Sequence, residues 1–558
     1  MLDFWYQDAV IYELDVKVYQ DGNADGIGDF RGLIRRLPHI AGLGATCLWL
    51  RPFYPSPLKD DGYDVTDYYA IDPRLGTFGD FVVFLSAARE LGLRVIADLV
   101  VNHTSDEHPW FQSARQGRDS PYRDYYVWSD ERPEEAPPPI FPGPEQGSWT
   151  YDKRAEAYFH HRFYRFQPDL NTANPAVREE IGKIISFWLQ LGLSGFRLDA
   201  APFLIEHLPT ARPGEVTVFF NVGEQDSERP FGLLRELRTA LSWRQGDAVF
   251  LAEANIAPEQ YQDYFGQQGE RMHMLFSFLV NQRLMLALAR QEASPLAELL
   301  ESMPTLPPGG QWVNFLRNHD ELDLGRLSPQ EREAVYDAFA PEKRMRVYNR
   351  GIRRRLASML EGDQRRIELA HALMLSLPGT PMIRYGEEIG MGDDLSLPER
   401  ISVRTPMQWS SEPNGGFSQA PPERLFRPPI SSGPYGYAKL NVARQQAEPD
   451  SLLNRLMRLV RVRKSCPEMA HGRLSVLPSE HPAVLVHRCE SQGGAILALH
   501  NLGDFAIQVR LAQELEPGEK LTDLLSSSGS HEETPLPIEL PAYGYRWLRL
   551  VGNEWKSR

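Results

Sequence analysis

The sequence predicts an α/β fold: a (β/α)8 barrel with an irregular domain inserted after the third strand and an antiparallel β-sandwich domain at the C-terminal end. Three observations predict it. Eight short apolar runs alternate with amphipathic helical patterns, the signature of a parallel sheet wrapped by helices. One aromatic, proline-rich stretch interrupts that alternation. After about residue 465 the texture changes to short alternating runs split by Gly, Pro, Ser and Asp.

In chain order the eight runs are AVIYELDV (9–16), TCLWLRP (46–52), LRVIADLVV (93–101), GFRLDA (195–200), VFLAEA (249–254), MHMLFSF (272–278), WVNFLRN (312–318) and TPMIRYG (380–386). Between them lie helical patterns such as FRGLIRRLPHIAGLG, FVVFLSAARELG, VREEIGKIISFWLQLG and RRIELAHALMLSLPG, several closed by a glycine. An open doubly wound sheet would show fewer strands and no such regular return. Residues 103–169 carry Trp110, Tyr125, Tyr126, Trp128, Trp149 and Tyr158 around ERPEEAPPPIFPGPEQG, too aromatic for a linker. They are expected to form a small domain at the barrel mouth, between barrel segments 1–102 and 170–465. A polar, helical excursion is expected at about 321–360, where the basic run RGIRRRLASML reads as a solvated helix face. The runs LSVLP, AVLVHRC, AILALHNL, IQVRL and YRWLRL place an antiparallel β domain within 466–558.

A chain of 558 residues is too long for a single core. Its net charge of −15, with no basic block, argues against nucleic acid or an anionic membrane surface as partner and favours a neutral or cationic ligand. No stretch reaches the ~18 apolar residues of a membrane span, and MLDFWYQDAV lacks the basic start and apolar run of a secretion signal. Cys47, Cys466 and Cys489 are far apart with no metal or redox spacing, which suits buried thiols in a reducing, cytoplasmic setting. An oligomer is compatible with these features.

In such a barrel the chemistry sits at the C-terminal ends of the strands. The third run ends in Asp98, Asn102 and His103, the fourth in Arg197 and Asp199, the fifth in Glu253, and the seventh in His319, Asp320 and Glu321. Side chains alternate along a strand, so Arg197 and Asp199 point the same way, and the guanidinium is expected to keep the carboxylate ionised. Three carboxylates converging from different strands suit cleavage of a glycosidic bond, with one attacking the anomeric carbon and another protonating the leaving oxygen.

At these residues the chain resembles the α-amylase superfamily of retaining glycoside hydrolases and transglucosidases, through DLVVNH (98–103), GFRLDA (195–200), LAEA (251–254) and RNHD (317–320). The resemblance implies that Asp199 is the nucleophile, Glu253 the general acid/base and Asp320 the transition-state stabiliser. It implies that His103, Arg197 and His319 contact the bound sugar, that Tyr63 is its stacking platform, and that Asp64 holds its far edge with Arg404 as partner. As a residue by itself, Tyr63 could equally be a core aromatic. A closer resemblance, to the trehalose synthases or maltose α-D-glucosyltransferases, runs from about residue 5 to 465 through WYQDAVIYEL, FYPSPLKDDGYDV, NHTSDEHPWF, QPDLN, GEEIGMGDD and VRTPMQWS. These enzymes cleave maltose in a closed pocket and rejoin the glucose as trehalose.

The chain departs from that pattern on the acceptor side. Phe203 stands where the pattern has Tyr, Gly325 where it has Glu, and Ile401 where it has an acidic residue; the loop at 207–230 also differs. Glu321 and Arg400 are the residues expected to restore closure or to suit another acceptor. The implied substrate is a small α-glucoside such as maltose or trehalose. An α-glucosidase releasing glucose to water, and a binding protein on an inactive barrel, are the competing readings; the complete carboxylate set argues against the latter.

The segment DGNADGIGD (21–29) places oxygen side chains at alternate positions, compatible with a plain Asx-rich turn or a hard-cation loop. The family resemblance implies structural calcium at Asp21, Asn23, Asp25, the Ile27 carbonyl and Asp29. It implies a second calcium site at Asn102, Asp169, Glu206 and the carbonyls of Phe203 and Leu204.

Overall fold

The computed structural model describes residues 4–134, 136–205, 210–212, 215–217, 228–492, 494–511, 520–526 and 537–551. Each predicted run supplies one strand: β1 (Ile11–Leu14), β2 (Cys47–Leu50), β3 (Arg94–Leu99), β4 (Gly195–Leu198), β5 (Val249–Ala252), β6 (Met274–Phe276), β7 (Gln311–Phe315) and β8 (Thr380–Arg384). They pair in parallel in that order, and β8 pairs back to β1 to close the barrel.

Alternation along the strands explains both the barrel's filling and its polar mouth. Inward positions near the strand starts are apolar: Ile11, Cys47, Trp49, Ile96, Val249, Leu251, Met274, Phe276, Val313, Phe315 and Met382 form one buried cluster. Two residues further along the same faces come Glu13, Asp98, Arg197, Asp199, Glu253 and Arg384, so the packed plug turns into a charged floor. Outward positions such as Tyr12, Leu48, Val95, Phe196, Phe250 and Ile383 join the helices in the main core. A side chain could not replace Gly195, where an added Cβ would lie 2.2 Å from the Val249 carbonyl.

Capping side chains start the helices before β2, β3 and β4, and two of them end at the predicted glycines. Asp29 caps Phe30–Leu43 by accepting from the Gly32 amide, and that helix ends at left-handed Gly44. Thr77 and Asp80 form a capping box at the start of Phe78–Glu90. Asn174 and left-handed Gly192 bound Pro175–Leu191.

Between β3 and β4, strands Trp128–Ser129, Ala157–His160 and Trp149–Asp152 form an antiparallel sheet in that spatial order. Backbone bridges His103 to Asp169 and Tyr126 to Leu170 tie its two ends together at the barrel. After β7 the chain makes a helix, Pro329–Phe339, and a small sheet of Leu322–Asp323, Arg346–Val347 and Gly351–Ile352. The basic run here is not a solvated helix face. Arg355 is fully buried, bonding the Tyr385 carbonyl and Glu387, while Arg353 reaches Ser402 and Arg354 faces Asp393. These arginines are drawn inward because the loop after β8 offers carbonyls and carboxylates that need donors.

The C-terminal part contains a five-stranded antiparallel sheet ordered Arg473–Leu477, Val484–Ser491, Gly494–Asn501, Tyr545–Val551 and Lys520–Asp523. A strand pair, Ile507–Val509 with Ile538–Leu540, packs on it through a shared core including Val486, Leu499, Ile507, Leu540 and Leu548. That is the expected sandwich. Among the described residues, no helix is long and apolar enough to cross a membrane.

Candidate active site

The site begins with register. Parallel pairing sets Asp98 of β3 beside Arg197 of β4, and Leu251 of β5 on Arg197's other side, so the next inward positions, Asp199 and Glu253, rise together at the mouth. Arg197 is 1 % exposed and collects all three carboxylates. Its Nη1 meets Asp98 at 2.6 Å and also Asp199, while its Nη2 meets Glu253 at 2.8 Å. The Ala200 amide adds a donor to Glu253 at 3.1 Å, from a left-handed turn directly after Asp199. Burial, together with the neighbouring Glu253, Asp98 and Asp320, pushes the Asp199 carboxyl well above its ordinary range, against the pull of Arg197. Arg197 alone therefore does not set the charge of Asp199, because one guanidinium serves three carboxylates.

A second wall comes from β7 and the loop after β8. Asp320 receives His319 Nε2 at 3.0 Å, Arg404 Nη2 at 2.9 Å and Arg400 Nη1 at 2.7 Å. Burial would raise this carboxyl, but His319, Arg400 and Arg404 hold it well below the usual range. His319 is fixed from behind by Glu13 of β1, whose Oε1 lies 2.6 Å from Nδ1. Tyr63 joins the walls: its hydroxyl reaches His319 Nε2 at 2.7 Å and Asp98 Oδ2 at 3.1 Å, and its ring stacks on the imidazole at 5.4 Å.

These groups border a cavity of about 520 Å³. Asp60, Tyr63, His103, Asp199, Asp320 and Arg400 line one part, with Glu253 beside Asp199. Beyond Glu253 the described lining is more apolar, with Phe203, Ile205, Phe231, Ile256 and Tyr264. Phe203 packs edge-on to Phe163, and the Arg162 guanidinium lies 4.9 Å from its ring centre. Glu321 and Asp323 also line the cavity, and Arg350 holds both at 3.1 Å.

The structure brings most of the sequence-predicted residues to this cavity and relocates several. Arg197, His319 and Arg404 stand behind the lining, each 1 % exposed, where they orient carboxylates instead of facing the space. Asp64 is not Arg404's partner. It is buried in its own loop, accepting from Ser56 Oγ and the amides of Lys59 and Asp60, and burial raises it to about 6. Arg404 pairs instead with Asp61 at 3.0 Å. The carboxylate at the cavity's edge is Asp60, joined to Arg400 at 2.7 Å. Asp60 and Asp64 share a turn with no period, so alternation could not choose between them. Glu13 was legible as a lone carboxylate on the inward face of an apolar strand. Phe141, Phe163, Asp323 and Arg350 carried no local signal.

The segment Asp21–Asp29 presents Asp21, Asp25 and Asp29 with no cationic side chain paired to them among the described residues. Burial is the largest effect pushing Asp29 up, the Gly32 and Gly22 amides oppose it, and Asp21 and Asp25 add to it; among the described residues no three carboxylates, imidazoles or thiols are gathered as a metal site. The same oxygens also serve turns: Asp21 Oδ1 accepts from the Asn23 and Ala24 amides, and Asp25 Oδ1 from Ile27. At the second place, Asp169 is held by His160 Nδ1 and the Arg162 amide, and Asn102 turns its Nδ2 toward it. The Leu204 carbonyl accepts from Thr172, and Glu206 lies outside the described residues. Those donors are already occupied by the protein's own groups.

Comparison with known proteins places this geometry. The family profile described as "Alpha amylase, catalytic domain" matches residues 15–339 and 346–472, and "Sucrose hydrolase-like, C-terminal domain" matches 493–549. The chain is similar to a "Trehalose synthase/amylase TreS" of Mycolicibacterium smegmatis, 42% identical over 98% of this chain and 92% of that one. It is 45% identical to a "Trehalose synthase" of Thermus thermophilus, over 94% of this chain and 53% of that protein. A solved "alpha-glucosyl transfer enzyme, XgtA" superposes with a TM-score of 0.78 at 27% identity, covering 98% of this chain and 99% of that one.

Proposed function

Because the chain belongs to the α-amylase catalytic-domain family, we propose that it interconverts maltose and trehalose by retaining α-glucosyl transfer through a covalent glucosyl-enzyme. The observation that carries this reading is the gathering of Asp98, Asp199 and Glu253 by one buried guanidinium at the cavity where the strands end. Asp199 attacks the anomeric carbon, the bond to the leaving oxygen breaks, and Glu253 gives that oxygen a proton. Arg197 pairs with both groups, so it stabilises the carboxylate form of Asp199 that attacks and holds Glu253 beside the leaving oxygen. The freed glucose turns within the cavity, its anomeric hydroxyl attacks the same carbon, the ester to Asp199 breaks and the proton returns to Glu253. Two inversions leave the α configuration intact. Asp320, kept charged by His319, Arg400 and Arg404, faces the oxocarbenium-like transition state.

A hydrolytic share is favoured by one observation: Phe203 lines the cavity without a hydroxyl. Gly325 does not reach the cavity lining; its amide donates to Asp323 Oδ1 at 2.6 Å, and an added Cβ would lie 2.8 Å from that oxygen. Asp323 and Glu321, gripped by Arg350, supply the acceptor-side carboxylates instead. Maltose incubation with time-resolved quantification of trehalose and glucose tests the reading: trehalose is expected with measurable glucose, and glucose alone would leave only the hydrolase. Calcium at Asp21–Asp29 is part of the proposal as a structural ion. Three unpaired, buried thiols support a reducing, cytoplasmic setting.

A further inference from the structure

Glu399 adopts a left-handed backbone, φ 41°, although it is neither glycine nor asparagine. Such a conformation is strained and persists only where the surroundings over-determine it. Here the surroundings are two tyrosines from distant parts of the chain. Tyr164, from the insert after β3, and Tyr348, from the excursion after β7, both donate their hydroxyls to Glu399 Oε2 at 2.6 Å, and the two hydroxyls lie 3.3 Å apart. Tyr348 is itself left-handed, at φ 54°.

The residue that follows is Arg400, whose side chain bridges Asp320 and Asp60 at 2.7 Å each. Its guanidinium lies 4.4 Å from the centre of the Phe141 ring. That ring packs at 4.7 Å against Tyr164 and at 4.7 Å against Tyr348. The same two tyrosines therefore fix the backbone from which Arg400 starts and the aromatic wall on which it ends.

We propose that Glu399 is a positioning residue: clasped by Tyr164 and Tyr348, it aims Arg400 between Asp60 and Asp320 and so shapes the part of the cavity that holds the transferred glucosyl group. It touches no reacting atom and acts only through Arg400. The inference rests on the functional reading above, which gives Arg400 and Asp320 their place at that group.

A double-mutant cycle on maltose turnover in the full-length protein tests it, with melting temperatures recorded for every variant. Arg400→Ala is expected to lower kcat/KM by about a hundredfold, as truncating one partner of a buried charge pair does. Glu399→Ala should lower it by about tenfold, the loss of one or two hydrogen bonds to a charged group. Glu399→Gln, which keeps an acceptor for the tyrosines, should recover most of that loss. In the Arg400→Ala background, Glu399→Ala should change kcat/KM by less than about twofold, because its only route of action is already gone. A Glu399→Ala loss that repeats in full in the Arg400→Ala background overturns the inference, as does a single-variant loss below about twofold. If Arg400→Ala itself leaves turnover intact, the functional reading of Arg400 fails, a result separable from either of those.

Discussion

Phe203 and the buried histidines show how single side chains set chemistry and stability here. Phe203 presents a ring without a hydroxyl to the cavity, on the side proposed above for the acceptor sugar. Phe203→Tyr adds one, so the ratio of trehalose to glucose formed from maltose should rise about two- to tenfold, as ~0.5–1.5 kcal/mol implies. An unchanged ratio would show that water enters elsewhere. His371 lies in the helix Gln364–Ser376, 1 % exposed, with neither ring nitrogen hydrogen-bonded, and burial pushes it down to about 3. Its folded value is below its unfolded one, so the stability it permits is present above about pH 6.5 and is lost as pH falls toward the folded value. His371→Leu should remove that loss, and its stability advantage over the parent should grow by up to about 1.4 kcal/mol per pH unit below 6.5. Urea unfolding at pH 7.5 and pH 5 measures this; parallel losses in both proteins would contradict it.

The elements divide by how far their information travels. Strands and helices were legible because each carries its own repeat or cap: the inward face of β4 ends in Arg197 and Asp199, and Asp29, Asn174, Gly44 and Gly192 mark helix ends. Loops were legible only where a motif named them. The choice of Asp64 over Asp60, and the reading of Arg355 as solvated, both missed because a loop's partners are decided by which distant segment folds over it, here the stretch after β8. The loop Asp21–Asp29 is the element most open to test. Three carboxylates crowd a turn that also caps the helix Phe30–Leu43, so calcium bound only in the folded state should raise the melting temperature by mass action. Chelation should lower that temperature and calcium should restore it, whereas an unmoved transition would leave the turn as Asx hydrogen bonding alone.

Across the whole molecule, one regularity produces both fold and site. Eight parallel strands place an apolar plug at their starts and charges at their ends, and the insert, the excursion and the loop after β8 meet above those charges. The barrel and the carboxylate set could be deduced from alternation and strand ends; the roof could not, since Tyr164, Tyr348 and Glu399 come together only in three dimensions. The central claim is retaining transfer by Asp199 with Glu253. Proton nuclear magnetic resonance during the first minutes of α,α-trehalose turnover tests it most directly, because both anomeric centres of that substrate are fixed as α and each new product can be read before mutarotation mixes the signals. The account predicts maltose together with glucose released first as the α anomer. Glucose appearing first as the β anomer would contradict it, because a single displacement by water inverts the carbon and leaves no place for a glucosyl-enzyme.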